Sequence, residues 1–402
     1  MSNQISLALV GCGGISGAHL VGYRDLFTRG CREFVITACC DISEAAAQKR
    51  AAEIAAFQGR EPKVFTDINA LIQANIAEAA DICLPHWLHH SVGVALLEGG
   101  LHVLVEKPIG ITIRATKKII EAGKIHGKVV ATAEQIRRTV GARSCEWAIN
   151  TKKMIGDVHT VHIRNITNGP FDYTNPAMIW RGFKTTNGGG MIMDSGAHTT
   201  DMMIYLLGEV ADVYCTMETL DDRTIHNVPV LGSGKVDVED TWTAAIRFKS
   251  GATATWSYSR QIHGEPDRAG LFYGTEGTLR DPGNVMHPFQ TGGDVFPAGD
   301  NAKPILSKDL QIMYLSSLPG DEKDRLFPYG CTNGIGIEIW DFVHAVATHR
   351  KPEMDGFDGL ISKTLCECCF ESATLGQVVT FQDVLEGKID TYQKPINEFW
   401  GL

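Results

Sequence analysis

The sequence predicts a two-domain α/β chain: an N-terminal doubly wound parallel sheet, then a C-terminal α/β domain with an open, mainly antiparallel sheet. Three observations carry this expectation. A chain of 402 residues is longer than one hydrophobic core normally organises. Over its first third, short apolar strands alternate with helical patterns, the rhythm of repeated βαβ units. Beyond residue 133 that rhythm yields to consecutive strands joined by tight turns such as KSGA, which indicates antiparallel pairing. The division is therefore placed at 1–133 and 134–402.

Residues 5–10, ISLALV, form the first strand and run directly into GCGGISGAHL. Gly11 and Gly13 occupy the first two positions of a dinucleotide fingerprint, where the turn is tight and a pyrophosphate comes close to the backbone. Ser16 stands at the third position, with Gly14, Ile15 and Gly17 beside it. The second strand, FVITACCD, ends at Asp41, twenty-eight positions after Gly13, where roughly 20 is usual for a ribose-binding acid. An acid there accepts hydrogen bonds from ribose hydroxyls and repels a 2′-phosphate, which favours NAD over NADP. The competing role for Asp41 is the N-cap of the helix over 43–57. Asp67 then caps INALIQAN, ADICL makes a strand ending at PHWLHH, and SVGVALLEGG is a helix with a glycine stop. LHVLVEKP, a helix over 112–126 and the strand KVVATA complete the domain.

Ligands of doubly wound sheets bind at the carboxyl ends of the strands. Three stretches lie at such ends: the glycine loop, Pro85 to His90, and Glu106-Lys107-Pro108. His86, His89 and His90 lack the acid or thiol partners of a metal site, so a loop closing over the nicotinamide half of a cofactor is expected there. Lys107, at a strand end and restrained by the following proline, is a candidate proton-transfer group; the alternative is a lysine snorkelling from the strand end.

In the second domain, helices are expected over 144–155 and 195–207, followed by the strands VADVYCTME, TWTAAIRFK, ATATWSYS, AGLFYG and GTLRD. Within GGGMIMDSGAHTTDMMIYLLG, Asp194, His198 and Asp201 fall at i, i+4 and i+7 and share one helix face. A carboxylate and an imidazole so placed can move protons, and the preceding glycines let backbone pass close to a ligand. The plainer alternative is an N-cap at Asp194 or Ser195 followed by a half-buried histidine. Residues 281–335, rich in Gly, Pro and Asp, read as a long loop, and helices follow over 336–348 and 359–376.

A formal charge of −10 argues against a nucleic-acid surface. No apolar run reaches membrane-spanning length, and the N-terminus has no leader pattern, so a cytoplasmic protein is expected. The eleven cysteines are odd in number, scattered, and twice adjacent, at Cys39–Cys40 and Cys368–Cys369, which fits reduced thiols and neither disulfides nor a metal site.

Taken together these motifs resemble, over nearly the whole length, the glucose–fructose oxidoreductase / inositol dehydrogenase / MocA family of NAD(P)-dependent oxidoreductases. The matching residues are Gly11 to Ser16, Asp41, Pro85 with His89, Glu106-Lys107-Pro108, Arg138, Trp180-Arg181, Gly188–Gly190, Asp194 to His198 and GTEGTL at 274–279. The resemblance implies a Rossmann domain and a second domain whose sheet forms a homodimer or homotetramer interface. It implies that Lys107, Asp194 and His198 are catalytic, with hydride exchanged between NAD and a secondary ring hydroxyl of a sugar, glycoside or cyclitol. It also implies cofactor contacts from Gly11, Gly13, Gly14, Ile15, Ser16, Asp41, Pro85, His86, His89, Glu106, Lys107, Trp180 and Arg181. Two alternatives stay open: an NAD-requiring glycosidase or eliminase working through a transient keto-sugar, and a non-catalytic NAD sensor. The chain departs from the family pattern at His86, where asparagine is usual, at Ile136, and in the length of 281–335.

Overall fold

The computed structural model describes residues 4–175, 177–282 and 287–402. The chain forms two compact units, the first made of Met1–Gln135 with Gly320–Leu360 and the second of Ile136–Pro319 with Ile361–Leu402. The stretch 320–360, which the sequence reading put in the second domain, clusters with the first.

In the first unit, β1 (Ile5–Val10), β2 (Phe34–Cys40), β3 (Lys63–Phe65), β4 (Ala79–Ile82), β5 (His102–Glu106) and β6 (Val130–Ala133) form one parallel sheet in the order β3-β2-β1-β4-β5-β6. These strands are short and almost wholly apolar because helices cover both faces. The helices are α1 (Gly14–Thr28), α2 (Glu44–Gln58), α3 (Ile68–Ala74), α4 (His89–Glu98) and α5 (Ile113–His126). Ser43, Asp67 and Thr112 cap α2, α3 and α5 by accepting hydrogen bonds from first-turn amides. The strand order reverses between β1 and β4, and it is beside this switch point that such sheets take ligands. A later helix, Gly334–Thr348, lies on α1, where a Cβ on Gly22 would come within 2.9 Å of the Gly336 nitrogen. Beyond it, Met354 and Asp355 bond along β6 through the Thr132 amide (3.0 Å) and hydroxyl (3.1 Å).

The second unit is built on a sheet of eight strands. They are β7 (Val158–Ile166), β8 (Val210–Glu218), β11 (Thr241–Phe248), β12 (Thr253–Ser259), β13 (Asp267–Gly274), β14 (Gly277–Asp281), β15 (Asp294–Pro297) and β16 (Val379–Thr380); β9 (Thr224–Val228) and β10 (Gly232–Lys235) pair separately. The order is β15-β14-β13-β7-β12-β11-β8-β16, antiparallel except where β12 meets β7. One face is core: Trp242, Ala244, Ile246 and Phe248 of β11 are buried, and Trp242 stacks on Tyr258 at 4.2 Å. The alternate residues Thr243, Ala245 and Arg247 are exposed. Helices α6 (Val140–Glu146), α7 (Lys184–Asn187), α8 (Gly196–Leu207) and α9 (Ser307–Ser317) belong to this unit.

Two features depart from expectation. The second sheet has a central strand, β7, in a stretch the sequence reading left unassigned. The expected loop over 281–335 carries regular structure: β15 extends the sheet, α9 buries Leu310 and Tyr314 at helical spacing, and helices Gly320–Leu326 and Gly334–Thr348 follow. Asp294 organises this segment by accepting from the Ser307 amide (2.9 Å) and from Arg280 (2.9 Å). Residues 283–286 of that expected loop lie outside the described residues.

Candidate functional site

Within the first unit the glycine loop follows β1 at the switch point. Gly11 has φ +88°, and a Cβ there would stand 2.4 Å from the Cys83 carbonyl oxygen, so only glycine fits. At Gly13 and Gly14 a Cβ would meet nothing within 4 Å: this side of the loop is open. Helix α1 starts at Gly14 without a side-chain cap, so its first amides are presented towards that open side. Open glycines at a helix start are what a pyrophosphate requires, and the loop therefore fits a dinucleotide. Ser16 explains its own departure from the fingerprint. Its hydroxyl donates to the Gly13 carbonyl (2.7 Å) and accepts from Arg50 Nε (3.0 Å), while Arg50 Nη2 also bonds that carbonyl (2.7 Å), which pins the loop to α2. Ile15 is exposed beside it.

Asp41 is held at the same loop. Its carboxylate accepts from the Cys12 amide (2.7 Å) and the Ser43 amide (2.8 Å), and Ser43, not Asp41, caps α2. Pro85 opens a single turn over His86–Leu88. His86 is buried, its ring 5.8 Å from that of His89. His89 is buried too, and its ring nitrogens face the Pro108 carbonyl (2.9 Å) and the Leu84 carbonyl (2.8 Å). Burial holds its pKa below the usual histidine range although both carbonyls favour the charged ring. The neutral ring donates to one of these carbonyls at a time, so it packs between the loops after β4 and β5 and would serve a cofactor through them. Lys107 is half-buried and precedes a cis peptide to Pro108.

Glu106 leads to residues that sequence reasoning missed. It faces His19 Nε2 at 3.1 Å, and the other ring nitrogen of His19 faces Asp81 at 2.9 Å; Tyr23 donates to Asp81 at 3.0 Å. The available signal was two polar residues at i and i+4, His19 and Tyr23, on the face of α1 that must pack on the sheet.

Within the second unit, packing accounts for the glycine run. Gly188 has φ +84° and ends α7; a Cβ on Gly189 would stand 2.2 Å from the Phe370 ring, and one on Gly190 2.1 Å from the Glu239 carbonyl oxygen. The buried Glu239 carboxylate accepts from the amides of Gly190 (2.6 Å) and Ile192 (2.9 Å). Burial pushes its pKa up to about 7, against the pull of those two donors. The glycines are thus required by close contacts inside their own unit, a reason different from the ligand approach expected of them.

Helix α8 begins at Gly196, which puts His198 in its first turn and Asp194 just before it. Arg181, expected among the cofactor contacts, bonds Asp194 through Nε at 2.7 Å and lies over the Trp180 ring, 4.3 Å from its centroid. Ser195 stands at the N-cap and does not cap the helix through its side chain. His198 is 2% exposed, and its ring centroid lies 5.2 Å from that of His287, a second histidine the sequence reading passed over. Asp201 takes a two-pronged bond from Arg137, 2.8 Å from Nε and 2.5 Å from Nη2, so its place is in helix packing.

Comparison with known proteins agrees with this anatomy. Residues 5–134 match the profile of an oxidoreductase family with an NAD-binding Rossmann fold, and residues 147–280 match the GFO/IDH/MocA C-terminal domain. The chain is 28% identical over 226 residues to levoglucosan dehydrogenase of Pseudarthrobacter phenanthrenivorans; the alignment covers 53% of this chain and 57% of that protein. It is 21% identical over 306 residues to 2,7-anhydro-N-acetylneuraminate hydratase of Escherichia coli, covering 73% of this chain and 77% of the other. Among solved structures, levoglucosan dehydrogenase in complex with NADH and levoglucosan superposes with a TM-score of 0.73 at 24% identity, covering 94% of this chain and 99% of that one, which shows a shared fold.

Proposed function

The chain belongs to the glucose–fructose oxidoreductase / inositol dehydrogenase / MocA family of NAD-binding oxidoreductases, and from that premise we propose that it oxidises a secondary ring hydroxyl of a sugar, glycoside or cyclitol. The observation that carries the reading is the Arg181–Asp194 pair at 2.7 Å, just ahead of His198 in the first turn of α8. An acid held still by a guanidinium can grip one hydroxyl of a polyol while a nearby imidazole takes the proton of the next. NAD, when bound, supplies a nicotinamide ring that accepts hydride. Gly11, Gly13, Gly14, Ile15 and Ser16 would hold its pyrophosphate and Asp41 its ribose. His198 accepts the hydroxyl proton, Asp194 orients the sugar by a neighbouring hydroxyl, and Lys107 polarises the reacting oxygen and relays the proton.

Replacing Lys107 or His198 with alanine is expected to lower turnover by about 10²–10⁴-fold while NADH fluorescence still reports cofactor binding. Near wild-type turnover in either variant would overturn the assignment. The substrate is found by screening inositols, aldoses and glycosides with NAD⁺ and NADP⁺, following both NADH absorbance and cleaved product.

A second reading gains from the hydratase relative, which is named for a reaction other than net oxidation. An eliminase would use the same residues, because a transient ketone acidifies the neighbouring C–H. Cleaved or rearranged product without net NADH selects that reading. We further infer a cytoplasmic homo-oligomer formed through the second sheet. Support comes from eleven free, buried cysteines and from the exposed, regular outer face of that sheet. No helix among the described residues is long and apolar enough to cross a membrane.

A further inference from the structure

Resting on the role just given to Lys107, we propose that His19 is a positioning residue: clamped as an imidazolium between Asp81 and Glu106, it fixes the Glu106–Lys107 turn and so the side from which Lys107 acts. Three elements meet in this cluster. Helix α1 supplies His19 and Tyr23, β4 and the residue after it supply Asp81 and Cys83, and β5 ends in Glu106. His19 is fully buried, and Asp81 and Glu106 are buried with it. Each ring nitrogen of His19 faces a carboxylate oxygen, at 2.9 and 3.1 Å. A carboxylate only accepts, so both contacts are hydrogen bonds only when both nitrogens carry protons.

The surroundings favour that state. Burial is the largest single effect and would discharge the ring, but the charges of Asp81 and Cys83 and their hydrogen bonds to the ring together overcome it, and the pKa of His19 lies well above the histidine range. Tyr23 donates to Asp81 at 3.0 Å and Cys83 at 3.7 Å, so two further donors meet the far carboxylate. Glu338, from helix Gly334–Thr348, is the other acid whose charge is felt by Tyr23.

The mechanical consequence follows from the chain itself. Lys107 follows Glu106 directly, in the bend that ends β5, so a Glu106 side chain held by His19 fixes the backbone from which Lys107 starts. The carbonyl of Pro108, on the far flank of Lys107, lies against His89 Nδ1 at 2.9 Å, a contact independent of His19. Removing His19 leaves Glu106 buried without this donor, a state it escapes by turning or by taking a proton. Lys107 then moves while the loop beyond it stays tied.

The test needs no substrate. Lysines of the full-length protein are reductively methylated with ¹³C-formaldehyde, and the Lys107 signal, assigned by its absence in Lys107→Arg, is titrated. In His19→Asn, which keeps a donor near Asp81 but cannot reach Glu106, the Lys107 midpoint is expected to move by about one pH unit or more. In His19→Gln, whose amide reaches Glu106, it is expected to stay near wild type, and signals of exposed lysines such as Lys153 are expected to stay put in both. Should His19→Asn not fold, Asp81→Asn removes the charge that keeps His19 protonated and reads the same midpoint. An unmoved Lys107 midpoint, or a His19 ring that imidazole ¹⁵N shifts show neutral at pH 7, would overturn the clamp. So would stoichiometric zinc lost in Cys83→Ser, because His19, Asp81 and Cys83 offer ligand atoms within 4.8 Å of one another. Wild-type turnover in Lys107→Ala would instead remove the role of Lys107 and leave this measurement intact.

Discussion

Asp41 shows what one side chain decides. Its carboxylate props the Cys12 amide of the glycine loop, and in the ribose-binding role proposed for it that charge would repel a 2′-phosphate. Asp41→Ala is expected to erode the preference for NAD⁺ over NADP⁺ by about 10–100-fold, the worth of one close charge interaction, measured as the ratio of kcat/KM values. A wild type that prefers NADP⁺ would refute the role outright. His19 makes a second prediction, through linkage. A group whose folded pKa exceeds its unfolded value of 6.5 stabilises the fold fully below that pH and loses the contribution as pH climbs towards the folded value. Above pH 6.5 the unfolded ring releases its proton while the folded ring keeps it, so stability falls as pH rises. Thermal denaturation over this range should therefore fall more steeply for wild type than for His19→Gln; equal slopes would mean a neutral ring. The candidate residues named from sequence stand in local runs, such as Gly11 to Ser16 and Asp194 to His198. His19 was not legible, because its partners Asp81 and Glu106 lie 62 and 87 positions away. Glu239 escaped for the same reason, being 49 positions from the Gly190 amide it binds.

The turn from α7 into α8 is decided by contacts of whole elements. Gly190 sits against the backbone carbonyl of Glu239, which has no side-chain freedom with which to yield. Gly190→Ala is expected to cost about 1–3 kcal/mol by overpacking, seen as a lower urea midpoint with an unchanged m-value. An unchanged midpoint would show that the two segments separate freely. Elements with a clean period were readable: the expected VADVYCTME and GTLRD coincide with β8 and β14. Strand β7 was not, because its exposed or half-exposed positions carry His159, His162 and Arg164, and Asn165 lies on its buried side. Its two sheet neighbours stabilise it, and β-propensity is largely such context. The segment 281–335 hid β15 and α9 behind a loop-like composition, although Leu310 and Tyr314 keep helical spacing.

At the scale of the whole chain, the second sheet leaves one regular face uncovered, with Tyr214 and Tyr273 at 43% and 39% exposure among threonines and Ala245. If copies of the chain join through it, a charge at its middle should separate them. Ala245→Arg is expected to shift the sedimentation coefficient to that of a monomer without loss of secondary structure; an unchanged coefficient would place any interface elsewhere. The two-domain plan was legible because the hydrophobic period changes near residue 133. The return of 320–360 to the first unit was not, because a helix period does not say which body its apolar face will meet.

That return has a bearing on how such proteins can be recombined. A chimera joined once near residue 135, with the downstream half of a relative, would lose the native partner of α1 at the Gly22–Gly336 crossing and the Asp355 bonds along β6. It would expose an edge strand and an apolar helix flank together. Exchanging only 136–319 and 361–402, with 320–360 left in place, keeps both. A single crossover is therefore expected to give insoluble protein where the segmented exchange gives a folded one.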